Sequence, residues 1–189
     1  MSIRKVIYIG LGSNEGDRLN YLQNAVDAIH SSIGTIAKIS SCYENPAMGF
    51  EGNNFINLCI EVRTFQSPEL VLAKLLEIEE NNGRRRYNDG VYHSRTIDLD
   101  LLFYQNKVIN NQILIIPHPR LQERLFVLKP MAEIAPNLVH PVLNKSIKKL
   151  LELCDDKSTI SKLSISLKNP LDMFDFSCYN FIAVEGNIG

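Results

Sequence analysis

The chain has no C-x-x-C pair, and Cys42, Cys59, Cys154 and Cys178 lie too far apart to frame a zinc site; they read as reduced thiols. No stretch approaches the ~18 apolar residues of a membrane span, and the N-terminus lacks a secretory-signal profile, which predicts a cytoplasmic protein. A surplus of one charge is also missing. With 20 basic against 21 acidic residues the net charge is -1, so no global field draws nucleic acid or an anionic membrane, and any phosphate affinity must be local. Gly10, Gly12 and Gly16 follow the first strand without the lysine and hydroxyl residue of a phosphate loop. They leave either a plain strand-to-helix turn or a place where a ligand approaches the main chain.

What remains is enough for a true hydrophobic core: 189 residues, 45% hydrophobic and 22% charged. Ile3 to Leu11 reads as a buried strand, and Leu19, Leu22, Val26, Ile29 and Ile33 recur at helical spacing from Asp17 to about Ser32, with an acidic first turn. Ile36 to Tyr43 reads as a strand and Glu44 to Asn54 as a proline- and glycine-bearing loop. Phe55 to Thr64 alternates, with Ile56, Leu58, Ile60 and Val62 on one side. The other side, Phe55, Asn57, Cys59 and Glu61, suits neither core nor solvent. An aromatic and an amide two residues apart can stack on and hydrogen-bond a flat heterocycle, or simply form an exposed mixed face.

Ser67 caps and Pro68 opens a helix that runs to Asn82 and stops at Gly83. After a basic loop, Asp98 to Tyr104 and Val108 to Ile109 are expected to form a hairpin, Ile113 to Ile116 a further short strand, and 126–135 and 146–154 helices. Strand, helix, strand, strand, helix, strand is the order of a split βαβ unit. It predicts an α+β, ferredoxin-like fold, an antiparallel or mixed sheet with helices on one face.

Chemistry concentrates in Arg95 to Phe103, R-T-I-D-L-D-L-L-F. On a strand Asp98 and Asp100 project from one face with Cα atoms roughly 6 to 7 Å apart, which suits two carboxylates sharing hard cations. Leu99 and Leu101 turn to the other face. A D-x-D pair alone is often a solvated strand face, but this one has Arg95 just before it and Arg84, Arg85, Arg86, Tyr87 and Tyr92 upstream. Paired anions beside several cations are the layout of Mg-phosphate chemistry.

Five ordered blocks, G-S-N at 12–14, Y-x-N-P-A-M-G with F-I-N, E-x-x-x-G-R-x-R, R-T-I-D-L-D-L-L and P-H-P-R-L-x-E-R-x-F-V-L-x-P-M-x-E-I-A-P, together resemble the 6-hydroxymethyl-7,8-dihydropterin pyrophosphokinase family over roughly residues 3 to 155. The resemblance implies transfer of the β,γ-diphosphate of ATP to the hydroxymethyl group of a reduced pterin, releasing AMP, in folate biosynthesis. It implies two Mg2+ ions on Asp98 and Asp100. It also implies a pterin read by Asn57 and by the loop near Asn45 and Met48, stacked by Phe55 and Phe126 and bordered by Asp98. Glu79, Arg84, Arg86, Arg95, Leu101, His118 and Arg124 would fall on the ATP side, with Arg84, Arg95, Asp98 and Asp100 as the catalytic set.

The family commonly has a basic residue, an aromatic and Gly-Pro ahead of the strand arginine, where Val91, Tyr92, His93 and Ser94 stand here. A phosphate contact from that loop is therefore left to His93 at most. A non-catalytic ferredoxin-like module that senses a nucleotide or small ligand is the alternative from another class, and a metal-dependent phosphohydrolase a second. The segment 156–178 is polar and reads as a linker with one weak strand at Leu163 to Leu167. Tyr179 to Gly189 then turns apolar and ends in glycines, similar to the start of a deoxynucleoside kinase P-loop. It predicts a truncated second domain at 179–189, and a bifunctional chain continuing into it.

Overall fold

Alternation along the first strand sets the layers. In β1 (Lys5–Ser13) Ile7, Ile9 and Leu11 are buried on one face, while Tyr8, Gly10 and Gly12 turn to the other. The computed structural model describes residues 3–86 and 90–173. The chain continues through α1 (Arg18–Ser32), β2 (Thr35–Ile39), β3 (Tyr43–Asn45), β4 (Phe55–Thr64), α2 (Pro68–Asn81) and β5 (Asp98–Tyr104). Then come β6 (Ile109–Asn110), β7 (Ile115–Ile116), a 3-10 turn at Leu121–Glu123, α3 (Leu125–Ile134), α4 (Ile147–Leu153) and β8 (Ser161–Lys162). Asp17 and Ser67 cap the first two helices through their side chains, accepting from Asn20 and Leu70, and Pro68 occupies the first turn of α2. Asp17 is thus the cap, so the first turn of α1 itself carries no acid.

The sheet runs in the order β5-β1-β4-β3-β8, with β2 also on β4, and every pairing is antiparallel. This is the α+β architecture expected, with one correction. Helices cover both faces. α1 and α2 bury Ile7, Ile9, Leu11, Ile56, Leu58, Ile60, Val62, Leu99 and Leu101. On the opposite face Tyr8, Cys59, Leu102 and Phe103 make a second apolar patch, closed by Val127, Leu128 and Met131 of α3 and Ile147 and Leu150 of α4. At roughly 25 cal/mol per Å² of apolar surface, two such layers justify a strand buried on both sides, which is why β4 is buried at every position but Arg63.

Two further expectations are corrected. The strand expected from Ile36 to Tyr43 splits into β2 and β3, because Ser40 turns its amide and hydroxyl to Cys59 of β4 and breaks the run. The expected hairpin of Asp98 to Tyr104 with Val108 to Ile109 does not form; the chain turns at Gln105 and β6 pairs with β7 in a separate two-stranded sheet. Residues 156–173 do not leave the domain, since β8 lies beside β3 and Leu163 and Leu167 pack against the core. The P-loop-like segment 179–189 lies outside the described residues. Cys42, Cys59 and Cys154 are free thiols, and among the described residues no helix is long and apolar enough to cross a membrane.

Gly34 joins α1 to β2 where its Cβ would overlap the Arg63 carbonyl oxygen, a backbone atom with little room to yield. Gly34→Ala should lower the unfolding free energy by about 1–3 kcal/mol in a urea titration; an unchanged midpoint would contradict the tight junction.

Candidate active site

The second helical layer covers only part of its face. At the other end β1 offers Gly10 and Gly12, so no side chain rises between β4 and β5 and a trough remains. In register, Gly12 lies between Asn57 and Asp98, and Gly10 between Cys59 and Asp100. A Cβ on Gly12 would sit 2.6 Å from Asn57 Oδ1, so only glycine leaves that amide in place. Above the trough is a cavity of about 490 Å³, within the usual range for small-molecule sites.

One wall comes from β3, β4 and the loop between them: Asn45, Met48, Gly49, Phe50, Phe55 and Asn57. Asn57 Nδ2 donates to Asn45 Oδ1 at 2.7 Å, and Asn45 Nδ2 donates to the Pro46 carbonyl at 2.8 Å. These bonds fix the orientation of both amides and turn Asn57 Oδ1, an acceptor, toward the trough. Phe50 meets Phe55 edge to face with centroids 6.3 Å apart, and the Arg95 guanidinium lies 5.3 Å above the Phe55 ring. Across the cavity Phe126, at the start of α3, carries Arg124 5.7 Å above its ring.

The floor is acidic and its rim basic. Glu79 of α2, 2% exposed, accepts from the Leu99 amide at 2.7 Å and pairs with both Arg84 and Arg86. Burial raises its carboxyl, and Arg84 and the Leu99 amide pull the other way. Arg84 also pairs with Asp98, and Arg95 Nη1 lies 3.4 Å from the same carboxylate. Burial disfavours the Arg84 cation, but Asp98 and then Glu79 outweigh that and raise its pKa. His118 Nε2 and Arg124 Nη1 each stand 3.9 Å from Asp100. Burial, and then the Asp98 carboxylate, push Asp100 up to about 7 against the pull of Arg124. Burial, and then Arg124, push His118 down to about 4, so its imidazole is neutral near pH 7.

Two carboxylates that oppose each other's ionisation suit a divalent cation, which relieves that repulsion. Among the described residues no cluster of three or more His, Cys, Asp or Glu side chains is placed to hold a metal ion. A cation on Asp98 and Asp100 would then complete its shell with water and phosphate oxygens, the habit of Mg2+ at polyphosphate sites. The donor set fits that ion.

Three loops meet at Asn14, which has no exposed surface. Its side chain donates to the Asn53 carbonyl and to Ser94 Oγ, both at 3.1 Å, and accepts from the Arg95 amide at 2.8 Å. Its own amide donates to the Arg95 carbonyl. Arg18 holds the ends of the 46–54 loop, bonding Glu44 and the Asn54 carbonyl.

The structure brings together Asn45, Met48, Phe55, Asn57, Arg84, Arg95, Asp98, Asp100, His118, Arg124 and Phe126 around one cavity. Three predicted residues stand apart. Glu79 is buried behind the wall, and Arg86 reaches Glu79 from the surface. The Leu101 side chain faces the α1–α2 core at 4% exposure, so only its main chain is available to a ligand. Sequence reasoning missed Gly49, Phe50, Tyr92, Arg120 and Glu123 in the lining. Phe50 and Tyr92 carried the usable signal, being aromatics in polar loops.

A family model described as 7,8-dihydro-6-hydroxymethylpterin-pyrophosphokinase (HPPK) matches residues 8–136. The 2-amino-4-hydroxy-6-hydroxymethyldihydropteridine pyrophosphokinase of Aquifex aeolicus is 40% identical over 144 residues, 75% of this chain and 88% of that protein. The enzyme of the same name from Bacillus subtilis is 42% identical over 134 residues, 70% of this chain and 79% of that protein. Among solved structures, Plasmodium falciparum HPPK-DHPS with pteroate superposes with a TM-score of 0.66 at 17% identity, covering 79% of this chain and 44% of that one, a likeness of fold.

Asn14→Ala would leave the Arg95 amide and the Asn53 carbonyl without their partner, at about 1–3 kcal/mol for each group kept from water. The expected outcome is faster hydrogen exchange in 46–54 and 90–95 and a lower melting temperature. Unchanged exchange in both loops would rule out the clamp.

Proposed function

The chain belongs to the 7,8-dihydro-6-hydroxymethylpterin-pyrophosphokinase family, and from that premise we propose how its cavity works. It is an enzyme of folate biosynthesis that transfers diphosphate from ATP to the hydroxymethyl group of 6-hydroxymethyl-7,8-dihydropterin, giving AMP and the pterin diphosphate. The observation that carries the residue assignment is the opposition, across one cavity, of a flat-ring wall and a carboxylate-arginine floor.

In our reading the pterin slides between Phe55 and Phe126, and Asn57 Oδ1 accepts a ring N–H, its direction fixed by the bond to Asn45. Main-chain groups near Met48 read the rest of that edge. The triphosphate lies along Arg84, Arg95, Arg124 and neutral His118, with Arg86 and the Leu101 main chain toward the nucleoside. Asp98 and Asp100 would hold Mg2+, two ions in our reading, which would supply neutralisation of the phosphate charge and polarisation of the phosphoryl group.

Arg84 and Arg95 pair with Asp98 and line the same cavity, so the guanidiniums that neutralise this carboxylate also stand where phosphate oxygens would lie. Glu79 holds Arg84 from the side away from the cavity. No protein nucleophile is required, because the substrate brings its own hydroxyl; positioning and charge neutralisation supply the rate. Tyr92 lines the cavity as an aromatic that would exclude water.

The proposal keeps a cytoplasmic location and no nucleic-acid or membrane partner, and extends the domain past residue 155 to the segment that packs on it through β8, Leu163 and Leu167. It also keeps the reading of 179–189 as the opening of a P-loop. A Gly-Lys-Ser/Thr encoded directly after Gly189 supports that reading, and a stop codon there removes it.

Asp98→Ala and Asp100→Ala should each cut AMP formation from ATP and the pterin by at least about a hundredfold, the scale of losing one preorganised electrostatic partner. Product analysis by anion exchange should show AMP and pterin diphosphate in the unaltered protein. Free phosphate instead would indicate a hydrolase. Ligand binding without any turnover would indicate a sensing module.

A further inference from the structure

The lining of the cavity ends at Phe126, and the family match ends at residue 136. The segment 156–168 lies beyond both, yet it touches each flank of the ring-binding wall. We infer that this strap is a positioning element for the pterin half of the site, an inference that rests on the function proposed above.

At its start, Asp156 Oδ2 accepts from the Leu125 amide at 2.9 Å, at the N-terminus of α3 and one residue before Phe126. Asp156 Oδ1 also accepts from Ser158, which holds the carboxylate in that pose. No side chain of α3's own flanking residue caps that end, so the strap supplies the acceptor that the helix lacks.

Farther on, β8 secures β3. The latter is only three residues long, and it ends in Asn45. Tyr43 and Glu44 pair with Asn57 and Ile56 on one edge and with Lys162 and Ser161 on the other. Side chains reinforce the joint. Glu133 of α3 accepts from Tyr43 Oη at 2.8 Å, from the Ser41 amide at 2.8 Å and from Lys162 Nζ at 2.6 Å. Tyr43 and Asn45 share a face of the strand, so fixing Tyr43 between α3 and the strap fixes Asn45, and through it the Asn57 amide.

The strap is itself anchored. Leu163 donates to the Cys42 carbonyl at 2.9 Å, Leu163 and Leu167 pack on the core, and Lys168 exchanges two backbone bonds with the Gln23 side chain of α1. Cys42 lies under it, fully buried, and so reports whether it is seated.

The test uses the full chain with a Leu163→Asp/Leu167→Asp double variant and, separately, Asp156→Asn, which keeps the shape of the cap. Maleimide labelling of Cys42, read by mass spectrometry with Cys59 as the protected control, verifies release in the double variant. Calorimetry then measures a pterin analogue, with a saturating non-hydrolysable ATP analogue and Mg2+, and the nucleotide analogue alone. The strap's role predicts a pterin affinity at least about tenfold weaker in the double variant, equivalent to about 1.4 kcal/mol, with nucleotide affinity held within about twofold. Asp156→Asn should shift in the same direction by a smaller factor. Released strap with unchanged pterin affinity, or equal loss for both ligands, overturns the inference. An unaltered protein that binds neither ligand would instead overturn the assigned function, which separates the two failures.

Discussion

A single buried carboxylate holds the acid- and arginine-lined half of the cavity in place. Glu79 sits at the end of α2 with almost no exposed surface, and leaving an anion there would be costly without compensation. Compensation comes from three directions: the Leu99 amide at the start of β5, Arg84 and Arg86. One group thereby fixes a helix, the strand that presents Asp98 and Asp100, and the first arginines of the loop that follows. The paired carboxylates of D-x-D are thus positioned by a third that lies behind the cavity wall.

The rest of the site follows from an offset between layers. Helices α3 and α4 bury the apolar end of the second sheet face, and the glycines of β1 keep its polar end bare. A ligand can reach the main chain there, with amide and aromatic groups to one side and acids and arginines to the other. The two acids are balanced unequally: Asp98 pairs with Arg84 and Arg95, whereas Asp100 has Arg124 and His118 at 3.9 Å and its carboxyl is pushed up, so the two acids of D-x-D are not equivalent.

Much of this was legible in the sequence where the signal is local. β4, β5 and the cap and proline of α2 coincide with their expected bounds because alternation and helix-start chemistry act over a few residues. The site aspartates, arginines and Asn57 could be picked out by residue type and order. What escaped depends on contacts far apart in the chain. Helices on both faces required knowing that Tyr8, Cys59 and Leu102 would meet α3, and β6 chose β7 over β5. Asn14 is the instructive case. Gly12 and Ser13 of G-S-N end β1, and the asparagine that follows closes two distant loops through bonds across 39 and 80 residues. The strap is similar: a weak strand is legible at Leu163 to Leu167, but the pairing falls at Ser161–Lys162 and nothing local announces that its partner is β3.

The place of β1 in the sheet has a consequence for biosynthesis. It is the first strand of this sheet to be synthesised, yet its two neighbours are β4 and β5, so Lys5 waits for Thr64 and Ile7 for Tyr104. At roughly 5–20 residues per second, an apolar ribbon with both edges open persists for several seconds before either side is closed. Until residue 104 has been synthesised those edges stay open, and slower translation ahead of it would lengthen the interval in which misassembly competes with folding.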